Sequence, residues 1–525
     1  MDDIKECAFN VIELAVFSGR LNSICEEMGG VLQKSALSPN IKDRMDFSCA
    51  FFDSRGRIMA QAAHIPVHLG SMAFAMSDIV TRFLWNEGDV LVLNDPFMGG
   101  THLPDVTLIS PVFINHQLLG FVANRAHHAN IGCETSGSMP LSKSLSEEGV
   151  VIKPVKLYER GRLKKEVVTL LASVDKFADQ HCLPGDFLAQ VSANVIGIKR
   201  MLDWVEGQSY TVKYFQQGLV KLNQYGRDLA LKSFSKLPRG KASFKDYMDG
   251  DGYSCEPIVI ELSLSIHDNE IYLDFTGTSQ QVGGNINCPL SVCVAAVYYA
   301  FAGLLPDYTP HCYGVFDIIN VKAPLGTLVN ATEGAAVSAG NVETSMRLVD
   351  VVLGALSKLG VDVPAASQGT MNNIAMGGVQ EDVRWDYYET IGGGGGAGSS
   401  WAGLNAVQCH MTNTLNTPVE SLEMHYPLRI KKYAVRSNSG GRGLNVGGDG
   451  IERVYEFLIP LDVTVLTERR CFKPWGLNGG QGGDMGVNLL NDEVVANKVS
   501  MNASKGDVLR ILTPGGGGWG NENLE

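Results

Sequence analysis

Residues 105–126, DVTLISPVFINHQLLGFVANRA, contain two runs of apolar and β-branched residues that are separated by Asn115 and His116. Runs of this composition favour β-strands, and asparagine tolerates the left-handed backbone that a tight turn requires. The pattern therefore predicts a β-hairpin that turns at Asn115-His116. A hairpin returns the end of its second strand to the start of its first, so we expect the residues on its two flanks to meet.

Both flanks of the hairpin carry side chains of the metal-binding type. MGGTHLPD leads into it, with His102 and Asp105 three residues apart, and AHH ends it with His127 and His128. Imidazole and carboxylate are ligands for Zn, Mn or Fe(II). Because Pro104 and the double glycine disfavour a helix, we expect a loop to present the first pair. Side chains alternate along a strand, so only one of the adjacent histidines is expected to point inward.

Two neighbouring segments add further candidates. IKDRMDFSCAFFD offers a carboxylate in Asp46, with Asp43 as the second choice. HIPVHLG places His64 and His68 at i, i+4, but the intervening Pro66 opposes a helix, and we interpret both histidines as structural or substrate-lining. The spacing alone leaves a second interpretation open, in which the hairpin histidines are hydrogen-bonded structural residues.

The rest of the chain mixes helical and strand patterns. Apolar spacing near 3.6 predicts helices over 5–36, 70–85, 187–206, 211–233, 290–303 and 342–359. GDVLVLNDP predicts a strand, and PIVIELSLSIHDNEIYLDFTGTS predicts a hairpin that turns at HDNE. We expect a mixed α+β, multi-domain fold. Its parts are an N-terminal metal-binding α/β domain (1–235), a central hairpin-and-helix domain (236–380) and a β-rich, glycine-rich C-terminal domain (381–525).

Glycine is concentrated in the C-terminal part. The 59 glycines of the chain cluster in segments 392–400, 439–450, 477–486 and 514–520. Such segments are either flexible linkers or places where the backbone must approach something closely. Strand-like and aromatic sequence flanks each of them, which favours close approach.

The composition is that of a globular protein. A length of 525 residues predicts more than one domain, and a formal net charge of −13 without a Lys/Arg-rich run argues against nucleic-acid binding. The acidic N-terminal sequence lacks the basic region of a signal peptide, and no run of roughly 18 apolar residues would span a bilayer. Eleven cysteines without C-x-x-C indicate reduced, buried thiols. We therefore expect a cytoplasmic protein that binds neither nucleic acid nor membrane.

Two common catalytic motifs are missing from the sequence. There is no G-x-x-x-x-G-K-[ST] phosphate-binding loop and no G-x-S-x-G. The sequence therefore predicts neither a Walker-type nucleotide site nor the simplest serine hydrolase.

Taken in order and nearly end to end, the motifs of this chain resemble the hydantoinase B/oxoprolinase family. They are NIKDRMDFSCAFFD, HIPVHLGSM, GDVLVLNDPFMGGTHLPDVTLISPVF, NRAHHANIG, EEGVVIKPVKL, DFTGTSQQVGGNIN, VSAGNVETSMRLVDVVLGAL, QGTMNN, HMTNTLNTPVESLEMHYPLRI, GGDGIERVYEF and TPGGGGWG. The ordered set is far more specific than any one motif.

The resemblance implies a division of labour with a hydantoinase A-type partner that carries the ATP site and its Mg. The partner would phosphorylate the carbonyl oxygen of a hydantoin, 5-oxoproline or related lactam, and this chain would hydrolyse the activated carbonyl. His102, Asp105 and His127 would hold one divalent metal, with Asp46 as a fourth ligand. Zinc is the first choice, with manganese or iron as alternatives. The metal would lower the pKa of a bound water from about 15.7 toward 7.

The resemblance also frames the remaining roles. Asp46 or His128 would take the proton from that water. Apart from the resemblance, Arg125, His128 and Asn130 are expected to contact the substrate because they are polar neighbours of the ligands in the sequence, and His68 is a further candidate. The assembly would be a hetero-oligomer such as α2β2. A carboxylase subunit of the acetone or acetophenone type is the alternative function. A non-catalytic scaffold for the ATP subunit is the second alternative.

Overall fold

The computed structural model describes residues 9–62, 65–174, 182–208, 210–268, 270–380 and 383–522. These segments form four β-sheets with helices packed on them. The predicted mixed α+β class is therefore confirmed. No helix in these segments is long and apolar enough to cross a membrane.

The first sheet is antiparallel and contains the hairpin of residues 105–126. Its strands are β1 (Phe47–Asp53), β2 (Ile58–Ala62), β3 (Val90–Leu93), β4 (Asp105–Ile114), β5 (Gln117–His127), β6 (Val155–Glu159) and β7 (Arg162–Leu163). They are ordered β2-β1-β5-β4-β3-β6-β7. Asn115 and His116 join β4 to β5 with φ of 48° and 63°, the paired left-handed residues of a type I′ turn. The predicted hairpin and its turn are confirmed.

Helices pack against this sheet. They are α1 (Val11–Ser35), α2 (Pro39–Lys42), α3 (Pro66–Arg82), α4 (Lys165–Ala172), α5 (Gly185–Gly207) and α6 (Val212–Phe234). The side chains of Asn10 and Glu13 cap each other's backbone N–H at the start of α1. The part of the predicted helix 5–36 before residue 9, like His64, lies outside the described residues. The expectation that Pro66 opposes a helix is wrong, because proline suits the first turn, where its missing N–H has no partner to lose.

The second sheet consists of β8 (Gly240–Met248), β9 (Ile258–Ile266), β10 (Ile271–Asp274) and β11 (Ile319–Lys322). These strands have the order β11-β10-β9-β8. The predicted hairpin is formed by β9 and β10, and His267 N donates to Glu270 O across its turn at 3.0 Å. Helices α7 (Leu290–Ala302) and α8 (Ser345–Lys358) follow, and a π-helical turn, Gly340–Thr344, leads into α8. The helix α7 packs against α3, and α8 packs against β8 and β9.

The C-terminal part builds the other two sheets. Its elements are β12 (Asn373–Gln380), β13 (Val383–Glu389), α9 (Val419–His425), β14 (Leu428–Arg436), β15 (Gly450–Phe457), β16 (Leu461–Leu466), β17 (Val487–Leu490), β18 (Glu493–Val494), β19 (Lys498–Ala503) and β20 (Val508–Leu512). The sheets are ordered β13-β12-β16-β19 and β14-β15-β20-β17-β18. The first of them spans residue 380, and the division into three domains stays a prediction.

The glycine segments pack backbone against backbone. Gly448 N donates to Gly395 O, Gly516 N donates to Gly448 O and Gly441 N donates to Gly516 O, at 2.8 to 2.9 Å. A Cβ on Gly516 would lie 2.0 Å from Gly395 O, and one on Gly394 would lie 2.0 Å from Gly448 O. No side chain fits at these distances, so the expectation of close backbone approach is confirmed.

The hydrophobic core determines where the hairpin ends lie. Apart from residues near the turn, β4 and β5 are buried on both faces, with α5 and the large cluster around α1 on one side and the cluster that includes α3 on the other. The first residue of β4 and the last residue of β5 are therefore inside the protein. Cys182, Cys255 and Cys471 are exposed, so the expectation that the cysteines are buried is wrong for these three.

Candidate active site

The hairpin register brings three predicted ligands together. Asp105 begins β4, His127 ends β5, and the two residues are paired across the strands. His127 N donates to Asp46 O at 3.0 Å, because β1 lies beside β5 in the sheet. The expectation that the two flanks of the hairpin meet is confirmed.

His102 reaches the same place through a tight turn. Its Nε2 lies 3.3 Å from Asp105 Oδ2. Gly99, with φ of 99°, lies so close to α3 that a Cβ there would be 2.0 Å from Ala75 Cβ, and a Cβ on Gly100 would be 2.7 Å from Asn94 O. The double glycine therefore allows the loop to pack between α3 and β3 while presenting His102.

His68 joins the cluster from the first turn of α3. Its Nε2 lies 3.4 Å from Asp105 Oδ2, and its Nδ1 lies 3.2 Å from Ser48 Oγ. His68 is fully buried and lines the same cavity as the predicted ligands. Its predicted role as a substrate contact stays a prediction.

These side chains surround a cavity of about 20 Å³, which we call the His/Asp cavity. It is lined by Asp46, His68, His102, Asp105 and His127, with further residues from 341–342, 371 and 388–414. Roughly 10–15 Å³ of such space holds one water, so this cavity suits a single ion or water. In the described part of the chain, no hydrogen bond uses His102 Nε2, Asp105 Oδ1 or His127 Nε2, although all three atoms are buried.

The hydrogen bonds behind the two histidines bear on their tautomers. His102 Nδ1 donates to Ser338 O at 3.1 Å, so Nε2 carries a lone pair when the ring is neutral. Asn40 Nδ2 lies 3.1 Å from His127 Nδ1. A flipped Asn40 amide would present its oxygen instead and leave His127 Nε2 as a free lone pair, the tautomer that a metal ligand needs.

The charges of the cluster are set by burial and by each other. Burial alone would raise the pKa of the Asp105 carboxyl, but His102 and His68 outweigh it and hold that pKa well below its usual range. Burial lowers the pKa of His127, with His102 adding to the effect. Burial raises the pKa of Asp46. An ionised Asp105 beside a neutral His127 is the protonation state in which these groups bind metals.

The donor set fits one divalent cation by its chemistry. Two imidazoles and two carboxylates of His102, His127, Asp105 and Asp46 supply nitrogen and oxygen ligands for Zn, Mn or Fe(II). The unused ligand atoms inside the cavity agree with that fit. As the side chains stand, no group of three or more His, Cys, Asp or Glu residues in the described segments is arranged to hold a metal. The metal therefore stays a proposal.

The structure does not bring three other predicted residues to the cavity. The Arg125 guanidinium donates to Thr107 Oγ1, Ser71 Oγ and Gly99 O and is fully buried. His128 lies against α5, and Asn130 Oδ1 accepts from the backbone N–H of its own loop. Of the adjacent histidines, only His127 points into the cavity, as strand alternation predicts. The catalytic and substrate roles of these three residues stay predictions.

Sequence reasoning missed several residues that hold the cluster in place. Tyr388 stacks on His127 with ring centroids 4.8 Å apart and planes 2° apart. Thr101 Oγ1 and Asn341 Nδ2 both donate to Asp105 Oδ2. Thr101 belongs to the THLPD motif and could have been found there. Asn341 belongs to the VSAGNVETSMRLVDVVLGAL motif, but it and Tyr388 lie more than 200 residues along the chain, and nothing in the sequence places either residue beside the hairpin.

A family model described as Hydantoinase B/oxoprolinase matches residues 10–522. The chain belongs to this family. Within the family, 5-oxoprolinase 1 of Arabidopsis thaliana is 40% identical over 547 residues, which cover 99% of this chain and 42% of that protein. The 5-oxoprolinase of Dictyostelium discoideum is 38% identical over 528 residues, covering 98% of this chain and 40% of that protein. This hydantoinase B/oxoprolinase chain thus spans about two-fifths of the length of these two relatives.

A crystal structure of ATP-dependent caprolactamase from Pseudomonas jessenii has the same fold as this family member. The TM-score is 0.89 at 25% identity, and the match covers 98% of this chain and 92% of that chain. The fold of the hydantoinase B/oxoprolinase chain is therefore shared along nearly its whole length.

Proposed function

We propose that this chain is the hydrolytic part of an ATP-dependent lactam hydrolase that acts on a hydantoin, 5-oxoproline or a related lactam. The observation that carries the proposal is the buried convergence of His102, Asp105, His127 and Asp46 on one ion-sized cavity. The printed names of the Arabidopsis relative and of the Pseudomonas structure support the substrate class.

We assign the ATP and Mg site to a hydantoinase A-type partner. This chain corresponds to 42% of a 5-oxoprolinase but to 92% of one caprolactamase chain. The same fold thus occurs within a longer protein and as nearly all of a separate chain, which supports a partner that supplies the ATP-binding part. The complex would be a hetero-oligomer such as α2β2.

The proposed reaction begins on the partner and ends on this chain. ATP transfers its γ-phosphoryl group to the lactam carbonyl oxygen on the partner. Water adds to the activated carbon, and the C–N bond breaks with its electron pair on the nitrogen, which takes a proton. The resulting open-chain acyl phosphate reacts with a second water. Lactam, ATP and two waters thus give the open-chain acid, ADP and phosphate.

The residues of the His/Asp cavity have separate roles in this scheme. His102, Asp105 and His127 would hold a divalent cation, which would supply Lewis-acid activation of water. Asp46 accepts the proton of the attacking water, because burial raises the pKa of its carboxyl and makes it a stronger base. Tyr388 fixes the plane of the His127 ring by stacking on it. His128, outside the cavity, is not needed for this step.

The test is a coupled assay of the complex with its A-type partner on 5-oxoproline, hydantoin and caprolactam. We expect ADP release matched by lactam disappearance, and loss of ring opening in His102→Ala with folding retained. His425→Ala, at an exposed position of α9, is the control and should keep full activity. Bicarbonate incorporation into acetone or acetophenone would instead show that the chain functions in a carboxylase. Normal ring opening by His102→Ala would contradict the proposed active site.

A further inference from the structure

A larger cavity lies beside the His/Asp cavity. It has a volume of about 460 Å³, and its walls come from the C-terminal half of α7, Leu353 of α8, residues 362–364, Trp401 and His410. We call it the α7 cavity. Most of these walls are apolar, and small-molecule sites of about 300–1,000 Å³ have this character.

The two cavities share a wall. Pro66 lines the α7 cavity, and Ile65 and Val67 line the His/Asp cavity. Likewise, His410 lines the α7 cavity and Thr412 lines the His/Asp cavity. Val67 N donates to the carbonyl of residue 411 at 3.2 Å and ties the two sides of the wall together.

The volumes decide what each cavity holds. The His/Asp cavity, at about 20 Å³, has room for an ion or a water and no room for a ring. The α7 cavity, at about 460 Å³, accommodates a small ring. The α7 cavity is therefore the neighbouring space whose size suits the ring of a lactam.

One polar group on the wall of the α7 cavity is held in a fixed orientation. His410 Nε2 lies 3.2 Å from Asp350 Oδ1, and Asp350 Oδ2 accepts from Arg469 Nη2 at 2.7 Å. Asp350 and Arg469 are fully buried, and the His410 side chain is 11% exposed. Burial opposes the charge on Asp350, but His410 and Arg469 outweigh it and lower the pKa of the carboxyl.

The contact with Asp350 determines which ring nitrogen of His410 is left for another partner. An ionised carboxylate only accepts hydrogen bonds, so His410 Nε2 must be the donor to Asp350. No hydrogen bond between described residues uses Nδ1 of the same ring. In the protonated form of the ring, Nδ1 is also a proton donor.

We propose that the α7 cavity holds the lactam ring and that His410, oriented by Asp350, protonates the ring nitrogen as the C–N bond breaks. The inference rests on the proposed function, since it names where the lactam is held and which group serves its nitrogen. In the step, the C–N electron pair moves to nitrogen and the Nδ1 proton of His410 follows it. The ring opens to the acyl phosphate, and neutral His410 regains a proton from solvent.

This step needs an acid for a chemical reason. Once water has added to the activated carbon, either phosphate or nitrogen can leave, and phosphate is the better leaving group. Loss of phosphate regenerates the lactam and wastes the ATP. Protonation of the nitrogen favours ring opening, and a positioned acid accelerates such a step by roughly 10²–10⁴-fold.

The test is His410→Asn in the complex with the partner, assayed in H₂¹⁸O. His410 has φ of 54°, a left-handed conformation that asparagine also adopts readily, so the change removes the imidazole without backbone strain. We expect ring opening to fall by roughly 100-fold or more while ADP release continues. Unreacted lactam should gain ¹⁸O in its carbonyl, because the added water stays when phosphate leaves. His425→Asn is the control and should match the wild type.

Three results would overturn the inference. A variant with the wild-type ratio of ADP to opened lactam and unlabelled lactam would show that His410 does not serve the nitrogen. Loss of ring opening, ADP release and label together, with folding retained, would place His410 before water addition. A wild-type complex that opens no lactam would remove the proposed function and this inference with it.

The location of the ring is tested separately with Gly303→Leu. Gly303 lines the α7 cavity with helical φ of −64°, and the nearest atom to an added Cβ is Ala300 O at 3.6 Å. We expect a several-fold rise in KM for the lactam with metal content unchanged. Gly207→Leu is the control, since Gly207 ends α5 in a different groove with open space around it. An unchanged KM in Gly303→Leu would place the ring elsewhere.

Discussion

His102 Nε2 lies 3.3 Å from Asp105 Oδ2 in a fully buried pair. Within the described chain, no hydrogen bond engages that histidine nitrogen or the other oxygen of Asp105. A buried polar atom left without a partner costs roughly 1–3 kcal/mol. Leaving these ligand atoms without hydrogen bonds therefore lowers the stability of the folded state, which is typical of a site that binds an ion.

The hydrogen bond behind His127 gives the first prediction. Asn40→Ala should weaken metal affinity by roughly 10–100-fold, because it removes the group that fixes the His127 tautomer and ring orientation. Metal titration of the apo-protein measures the effect. Asn223→Ala is the control, since Asn223 is also buried but accepts a hydrogen bond from Gly314 N and does not line the cavity. Equal affinities in Asn40→Ala and wild type would contradict the prediction.

Glu148 gives a pH-dependent prediction. Burial raises the pKa of its carboxyl from 4.5 to about 7, against the pull of backbone N–H groups and Ser142 on its Oε1. Between these two values the folded chain keeps a proton that the unfolded chain has lost. The free energy of unfolding should therefore fall by roughly 3 kcal/mol as pH rises from 4.5 to 7, and level off above that.

Glu148→Gln should remove this fall, because the amide stays neutral and still accepts at Oε1. Chemical denaturation at pH 5, 6, 7 and 8 gives the difference between variant and wild type. The exposed neighbour variant Glu147→Gln should keep the wild-type dependence. Parallel stability curves for Glu148→Gln and wild type would refute the prediction.

The glycine segments give a prediction about packing. Gly516→Ala should destabilise the fold by about 3 kcal/mol or more, because its Cβ would meet the backbone of Gly395 at 2.0 Å and neither segment has a flexible side chain to move. Thermal and denaturant unfolding measure the loss. Gly207→Ala, with open space around it, should be neutral or stabilising. A stable Gly516→Ala would mean that these segments are loosely packed.

The predictions from sequence succeeded where the signal is local. The apolar runs and the Asn115-His116 turn fixed the hairpin, and hairpin geometry alone brings Asp105 and His127 together. Arg125 and His128 were chosen because they neighbour the ligands in sequence. The Arg125 guanidinium is instead bound to its own buried partners, and His128 points to the other face of the strand, toward α5.

Long-range packing explains what sequence could not reveal. Tyr388 and Asn341 reach the cluster from distant elements, and no pattern near either residue indicates it. His68 arrives because α3 starts at Pro66, where the breaking effect of proline does not apply. The Asp350–His410 pair joins α8 to a loop about 60 residues later and became visible only in the fold.

The most direct test of the central claim is metal content by mass spectrometry on the purified chain. We predict near-stoichiometric zinc, manganese or iron in the wild type and its loss in His102→Ala/Asp105→Ala. The control His425→Ala/Asp268→Ala changes the same residue types at exposed positions and should keep the metal. No metal in the wild type after incubation with excess ions and the partner, or full metal in the His102→Ala/Asp105→Ala variant, would contradict the account.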